Sequence, residues 1–155
     1  MKRTAGIVVT LVLSLLVAAP ATAQSEADIQ LTRAEIQKTR QAIVSRAMEL
    51  TEEEGLAFWP AYRDYRLDMA RLGDRLVRVM TEHTNAGAKL TDEQAARLLD
   101  EYLDIRAKDV TVRQKHVKRF RKFLPPAKVA RFFQLENKLD SVVAYELAQM
   151  IPLAR

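Results

Sequence analysis

Apolar residues along this chain recur at steps of three, four and seven, and I-to-i+2 alternation is not sustained anywhere in it. That periodicity belongs to helices that bury one face. It is clearest in Phe58, Tyr62, Tyr65, Met69, Leu72, Leu76, Val79 and His83, where the steps run 4, 3, 4, 3, 4, 3, 4. A heptad seam of this kind predicts a helix packed lengthwise against another. A second row, Ala96, Leu103, Val110, Val117 and Leu124, is spaced by sevens and is expected to meet that seam. A third row, Leu98, Ile105 and Val112, lies about 200° round the same helix. One side of that helix serves its neighbour. The other needs helix 1, helix 4, a second subunit or a client to cover it.

The helix starts carry a repeated signal. Leu31-Thr32-Arg33-Ala34-Glu35, Leu50-Thr51-Glu52-Glu53-Glu54 and Leu90-Thr91-Asp92-Glu93-Gln94 all read Leu-Thr-x-x-Glu/Gln. The Thr hydroxyl can accept from the backbone N–H three residues on, while Glu or Gln there reaches back to the Thr N–H. Leu124-Pro125-Pro126-Ala127-Lys128 is a degenerate fourth copy, in which proline near the first turn replaces the box. These starts predict four helices, over 32–48, 52–84, 92–123 and 126–150. Asn85-Ala86-Gly87 tolerates the left-handed conformation that closes a helix. The short turn between helices 2 and 3 makes them antiparallel neighbours. The fold class is therefore all-α, with a long antiparallel helical hairpin about 50 Å long. Pro60 is expected to kink it near Leu56.

Glu52, Glu53 and Glu54 invite a metal or catalytic reading. Successive helical residues point about 100° apart, so the three carboxylates do not converge. They suit a first turn, where negative charge complements the helix dipole. Phe58 and Trp59 belong to or flank the seam. They are expected to join Phe120, Phe123, Phe132 and Phe133 in one aromatic cluster at the end of the hairpin away from Gly87.

The first residues change the setting. Lys2 and Arg3, an apolar run from Ile7 to Ala19 and then Ala21-Thr22-Ala23 form a secretory signal cleaved after Ala23. The run is shorter than the roughly 20 residues a membrane span needs, so no anchor is expected after cleavage. Residues 24–155 are read as a single helical domain, and removing the signal lowers the net charge from +5 to +3. The chain has no cysteine, which excludes thiol chemistry and disulfides. The periplasm is the expected compartment.

Chemistry-bearing patterns are sparse. His83 and His116 are the only histidines and lack a second His at helical spacing, so no metal site is expected. No serine lies in a nucleophile motif and there is no phosphate loop. The reading is a binding protein, not an enzyme, with no catalytic residue and no cofactor. The basic run from Arg113 to Lys122 would suggest nucleic acid in another compartment; export argues against it. In the row Leu99, Arg106, Arg113, Phe120 and its counterpart Trp59, Arg66, Gly73, Met80, arginines interrupt apolar stripes. Arg66, Arg106 and Arg113 with Leu98, Ile105 and Val112 are the candidate client-binding residues. Surplus apolar surface on helix 3 also predicts a homodimer.

An exported, cysteine-free, helical chain with these pentads resembles the Spy/CpxP-like family, whose hallmark is the LTxxQ motif. Leu50, Thr51 and Glu54 look like its first motif, with Glu for Gln. Leu124 stands where the second would be but keeps only the leucine, and Leu90, Thr91 and Gln94 match literally in an intervening position. The resemblance covers residues 48–150. It implies a periplasmic, cradle-shaped homodimer of bent hairpins in the envelope stress response. The role it implies is an ATP-independent chaperone of the holdase type, which binds non-native proteins on a mixed basic and apolar surface. The alternative is a regulatory subunit that binds the periplasmic domain of a stress sensor. A metal sensor or metal-resistance role is the weakest option, because the ligand-rich segments of that branch are missing here.

Overall fold

The computed structural model describes residues 38–150. The chain divides into two units, 1–39 and 40–155, and the described residues fall almost wholly in the second. The export signal, the Leu31–Glu35 pentad and Pro152 lie outside the described residues. The described residues form four α-helices: α1 over residues 38–48, α2 over Glu52–Ala86, α3 over Asp92–Phe120 and α4 over Pro126–Met150. A single 3-10 turn, Gly87–Lys89, joins α2 to α3. No strand occurs among the described residues, and no helix there is long and apolar enough to cross a membrane.

The two complete pentads among the described residues start their helices by the mechanism their sequence suggests. Thr51 Oγ1 accepts from the Glu54 N–H at 3.2 Å, and Glu54 Oε2 accepts from the Thr51 N–H at 2.9 Å. Thr91 and Gln94 repeat the exchange at 3.2 and 3.1 Å. Each box satisfies two backbone donors that a helix start leaves without an intrahelical partner. Gly87 closes α2 at φ +50°, a conformation that Cβ-bearing residues adopt at a cost. α3 stops three residues earlier than expected. Its chain turns through Lys122 N–H to Arg119 C=O and Phe123 N–H to Phe120 C=O, because Pro125 disfavours helical geometry at Leu124 before it.

Glu49, between α1 and α2, is the one non-glycine residue with positive φ among those described, at 47°. Two side chains of α4 hold it there. Lys128 Nζ donates to the Glu49 C=O at 3.1 Å, and Arg131 meets its carboxylate at 3.0 Å. Lys128 also pairs with Glu54. The last residue of the degenerate pentad therefore meets the last residue of the Leu50–Glu54 pentad.

The main core lies where α1, the first half of α2, the end of α3 and the start of α4 converge. Val44, Met48, Phe58, Tyr62, Tyr65, Phe120, Leu124, Val129 and Phe132 are buried there. The rings stack closely: Phe120 to Phe132 at 4.8 Å, Phe58 to Phe120 at 5.4 Å and Tyr65 to Phe132 at 5.6 Å between centroids. Such pairs add about 0.5–1.5 kcal/mol each beyond their buried area. A smaller cluster of Val79, Leu98 and Ile105, with Leu72, Leu76, Leu90 and Tyr102 against it, joins α2 and α3 nearer the turn.

Thr51→Ala is expected to destabilise the protein by about 1 kcal/mol, the usual cost of losing a Thr cap. Glu52→Gln, in the same turn but outside the box, should change stability by no more than a few tenths of a kcal/mol. Urea denaturation of both variants checks this, and equal losses would remove the capping account.

Candidate functional site

The feature that organises the junction of the four helices is a carboxylate in a core slot. On α4, Val129, Phe132 and Glu136 follow at steps of three and four, and all three are buried. Glu136 is fully buried, and its Oε2 accepts from Arg40 Nη1 of α1 and from Arg66 Nη1 of α2, each at 2.9 Å. One turn on, Asp140 meets Arg40 at 2.8 Å and Arg113 of α3 at 2.6 Å. Arg113 also binds Asp109 at 2.8 Å. Three arginines and three carboxylates thus link all four helices and sum to zero charge.

Burial pushes the Glu136 carboxyl above its ordinary value, and the pull of Arg66 and Arg40 offsets this only in part. For Arg40, burial acts downward, but Glu136 and Asp140 outweigh it and hold the guanidinium charged. Burial and the nearby Glu136 raise the Tyr62 hydroxyl to about 12 and push Tyr65 up as well. The junction is an electrostatic clamp in which each guanidinium meets at least one carboxylate.

Along the rest of α2 and α3 the two sides differ. One side carries a ladder of ion pairs in reverse order along the helices. Glu82 pairs with Arg97, and Arg75 with Glu101 at 3.6 Å and Asp104 at 2.9 Å. Asp68 meets Lys115 at 2.8 Å and His116 at 2.9 Å, and Asp64 pairs with Arg119. The Asp68 carboxyl is held below its usual range, first by the Lys115 hydrogen bond and then by that of His116. The basic run from Arg113 to Lys122 is thus partly folded inward, with His116 and Phe120 buried.

The other side is apolar. Its half near the aromatic core is the face on which Arg66 and Arg113 meet α4. From Arg113 toward the Gly87–Lys89 turn, apolar side chains of α3 are exposed. Leu99, Leu103 and Val110 are 57, 54 and 53 % exposed, and Arg106 among them is also exposed. The Arg106 guanidinium lies 5.1 Å from the centre of the Tyr102 ring, and its Nε donates to the Tyr102 hydroxyl at 3.1 Å.

This arrangement corrects the expected client-binding set. Leu98 and Ile105 are buried between α2 and α3, and Val112 packs against the aromatic core, so none of the three is a free surface. Arg66 and Arg113 point into the clamp and are neutralised there. Of the six residues, Arg106 alone is exposed. The two apolar rows of α3 exchange roles. The row through Leu98, Ile105 and Val112 continues into buried His116 and Phe120 and faces α2. In the row expected to do so, Ala96, Leu103 and Val110 are exposed, while Val117 and Leu124 join the aromatic core. The dimer argument that rested on Leu98, Ile105 and Val112 loses its premise.

Two further features complete the surface. A hollow of about 520 Å³ opens between the end of α1 and the first turns of α2, beside Ser45, Gly55, Leu56, Trp59 and Arg63. Leu56, Pro60, Arg63 and Leu67 form an exposed outer row on α2. The described residues hold no group of three or more His, Asp or Glu side chains placed to bind a metal ion. Sequence reasoning missed the clamp. Its signal was two charges in core slots: Glu136 after Val129 and Phe132, and Arg40 before Val44 and Met48. No family model, curated protein or solved structure matches the chain.

Arg40→Met leaves Glu136 buried with half its counter-charge and removes the ion pairs that tie α1 to α4. A loss of about 3 kcal/mol is expected in urea denaturation. Adding Glu136→Leu to that variant should recover part of it, and a single variant within 1 kcal/mol of wild type would refute the clamp. Asp68 gives a pH test. Its folded pKa is depressed, so its stabilisation is present above its unfolded value, about 3.9, and is lost as pH falls through the folded value. Asp68→Asn is therefore expected to lower the thermal midpoint more at pH 7 than at about pH 2. Parallel thermal curves at the two pH values provide the measurement.

Proposed function

We propose that this chain is a periplasmic, ATP-independent holdase of the envelope stress response. The observation that supports it is the exposed row Leu99, Leu103 and Val110 beside Arg106 on a chain whose other arginines of that face are internally paired. A non-native protein exposes apolar side chains and carboxylates together. The row offers apolar contact, and Arg106 offers a charge whose stem also packs. Exposed charge pairs are individually weak, roughly 0–1 kcal/mol, and are screened by salt. Binding of that kind is shallow and reversible, which suits release without ATP.

In this reading α2 and α3 form a long antiparallel hairpin bent at Pro60, and two copies form a cradle. The outer α2 row of Leu56, Pro60 and Leu67 supports the dimer better than the α3 row first assigned to it, because it is apolar and exposed. The exported leader and the Leu-Thr-x-x-Glu/Gln pentads support membership of the Spy/CpxP-like family.

Aggregation of two unrelated chemically unfolded proteins, followed by light scattering without ATP, tests the function. The wild-type chain is expected to suppress both, less well at high salt. Leu103→Asp/Val110→Asp should at least halve the suppression while leaving helicity unchanged. Suppression that the double variant keeps in full would overturn this site, and suppression of neither client would overturn the function.

A further inference from the structure

Residues seven apart on a helix lie within about 20° of one face. One heptad before Arg113 stands Arg106, and one heptad before that stands Leu99. On α2 the residues seven and fourteen beyond Arg66 are Gly73 and Met80, both half-buried. The half of this face nearer the aromatic core therefore previews the chemistry of the bare half. There a helix, α4, lies on the apolar stripe and offers Asp140 to Arg113 at 2.6 Å and Glu136 to Arg66 at 2.9 Å. In the bare half the stripe continues through Val110, Leu103 and Leu99 at helical spacing. Arg106 occupies the slot of Arg113, but its contacts are to the Tyr102 ring and hydroxyl, with no carboxylate among the described residues.

We propose that the bare half of this face is a docking slot for an amphipathic helix of another protein, one that carries a carboxylate level with Arg106. The inference rests on the holdase reading and names the class of segment that the site takes. Leu99 to Val110 is eleven residues, about 16 Å, or three turns of a partner helix. A helix suits the slot because it satisfies its own backbone donors and acceptors, whereas an extended strand would lay unpaired groups on an apolar stripe. The opposite side of α2 and α3 is already laced with ion pairs, in which Arg119, Lys115, Arg97 and Arg75 meet Asp64, Asp68, Glu82, Glu101 and Asp104.

The chain supplies its own probe. A fluorescein-labelled peptide of residues 126–150 carries Asp140 and the apolar stripe of α4, and its binding to the full mature chain is read by anisotropy. Saturable binding is expected, weakened by salt. Arg106→Glu should weaken it about tenfold, since attraction becomes repulsion. A peptide carrying Asp140→Arg should regain affinity for the Arg106→Glu chain but not for wild type. Leu103→Asp should weaken both peptides. Both replaced side chains are exposed, and circular dichroism confirms that each variant folds.

Binding that Arg106→Glu leaves within twofold, as exchange with the chain's own α4 would, overturns the slot. So does a concentration-dependent dimer in sedimentation that Leu103→Asp abolishes, because the face would then belong to a second copy. A chain that suppresses aggregation but does not bind the peptide loses the slot and keeps the holdase reading. A chain that shows the charge swap yet suppresses no aggregation keeps the slot and loses that reading.

Discussion

Everything at the junction of the four helices depends on how Glu136 is compensated. A fully buried carboxylate is costly unless charge and hydrogen bonds meet it. Here one oxygen takes a guanidinium from α1 and another from α2, and the next turn of α4 ties in α3 through Asp140. Apolar packing would bring the same helices together, but it is indifferent to small slides and rotations. The paired arginines fix which turn of each helix faces which. The aromatic rings beside the clamp can then stack in one arrangement, from Phe58 through Phe120 to Phe132.

That clamp also decides which arginines are left for anything else. Arg66 and Arg113 interrupt the apolar stripe, and both are consumed by α4. Arg106, on the same face, is not. The difference follows from where α4 meets α3, not from the arginines themselves. A mixed basic and apolar stripe thus becomes two surfaces, one internal and one open, with the division just before Arg113.

Much of the fold was legible in the sequence because it is local. Thr51 and Thr91 cap as their pentads say, and the α2 seam buries Phe58, Tyr62, Tyr65 and Val79 where its spacing places them. The aromatic cluster followed from helix lengths and the position of Gly87. The facing side of α3 was misread for a physical reason. Asp109 and His116 occupy slots of the true seam, and polar residues there hid its continuity. His116 is acceptable inside because Asp68 meets it at 2.9 Å, and Asp109 because Arg113 meets it. Arg40 and Glu136 are 96 residues apart in sequence, and no local pattern announces that two lone charges are partners. The candidate site was legible only as a composition, leucines with arginines, since its accessibility depends on the end of α4.

The two clusters that hold α2 to α3 are unequal. The one beside the clamp has five aromatic rings in its buried core, whereas the one near Gly87 has three buried aliphatic residues and a few half-buried neighbours. Opening free energy follows buried contact, so it falls along the helices toward the turn. The amides around Val79 and Leu98 should exchange with solvent water through local opening, while those around Phe58 and Phe132 wait for global unfolding. The open stripe of Leu99 and Leu103 thus belongs to the softer end. Local opening of the two helices is therefore expected at that end first, while the anchored end keeps their register.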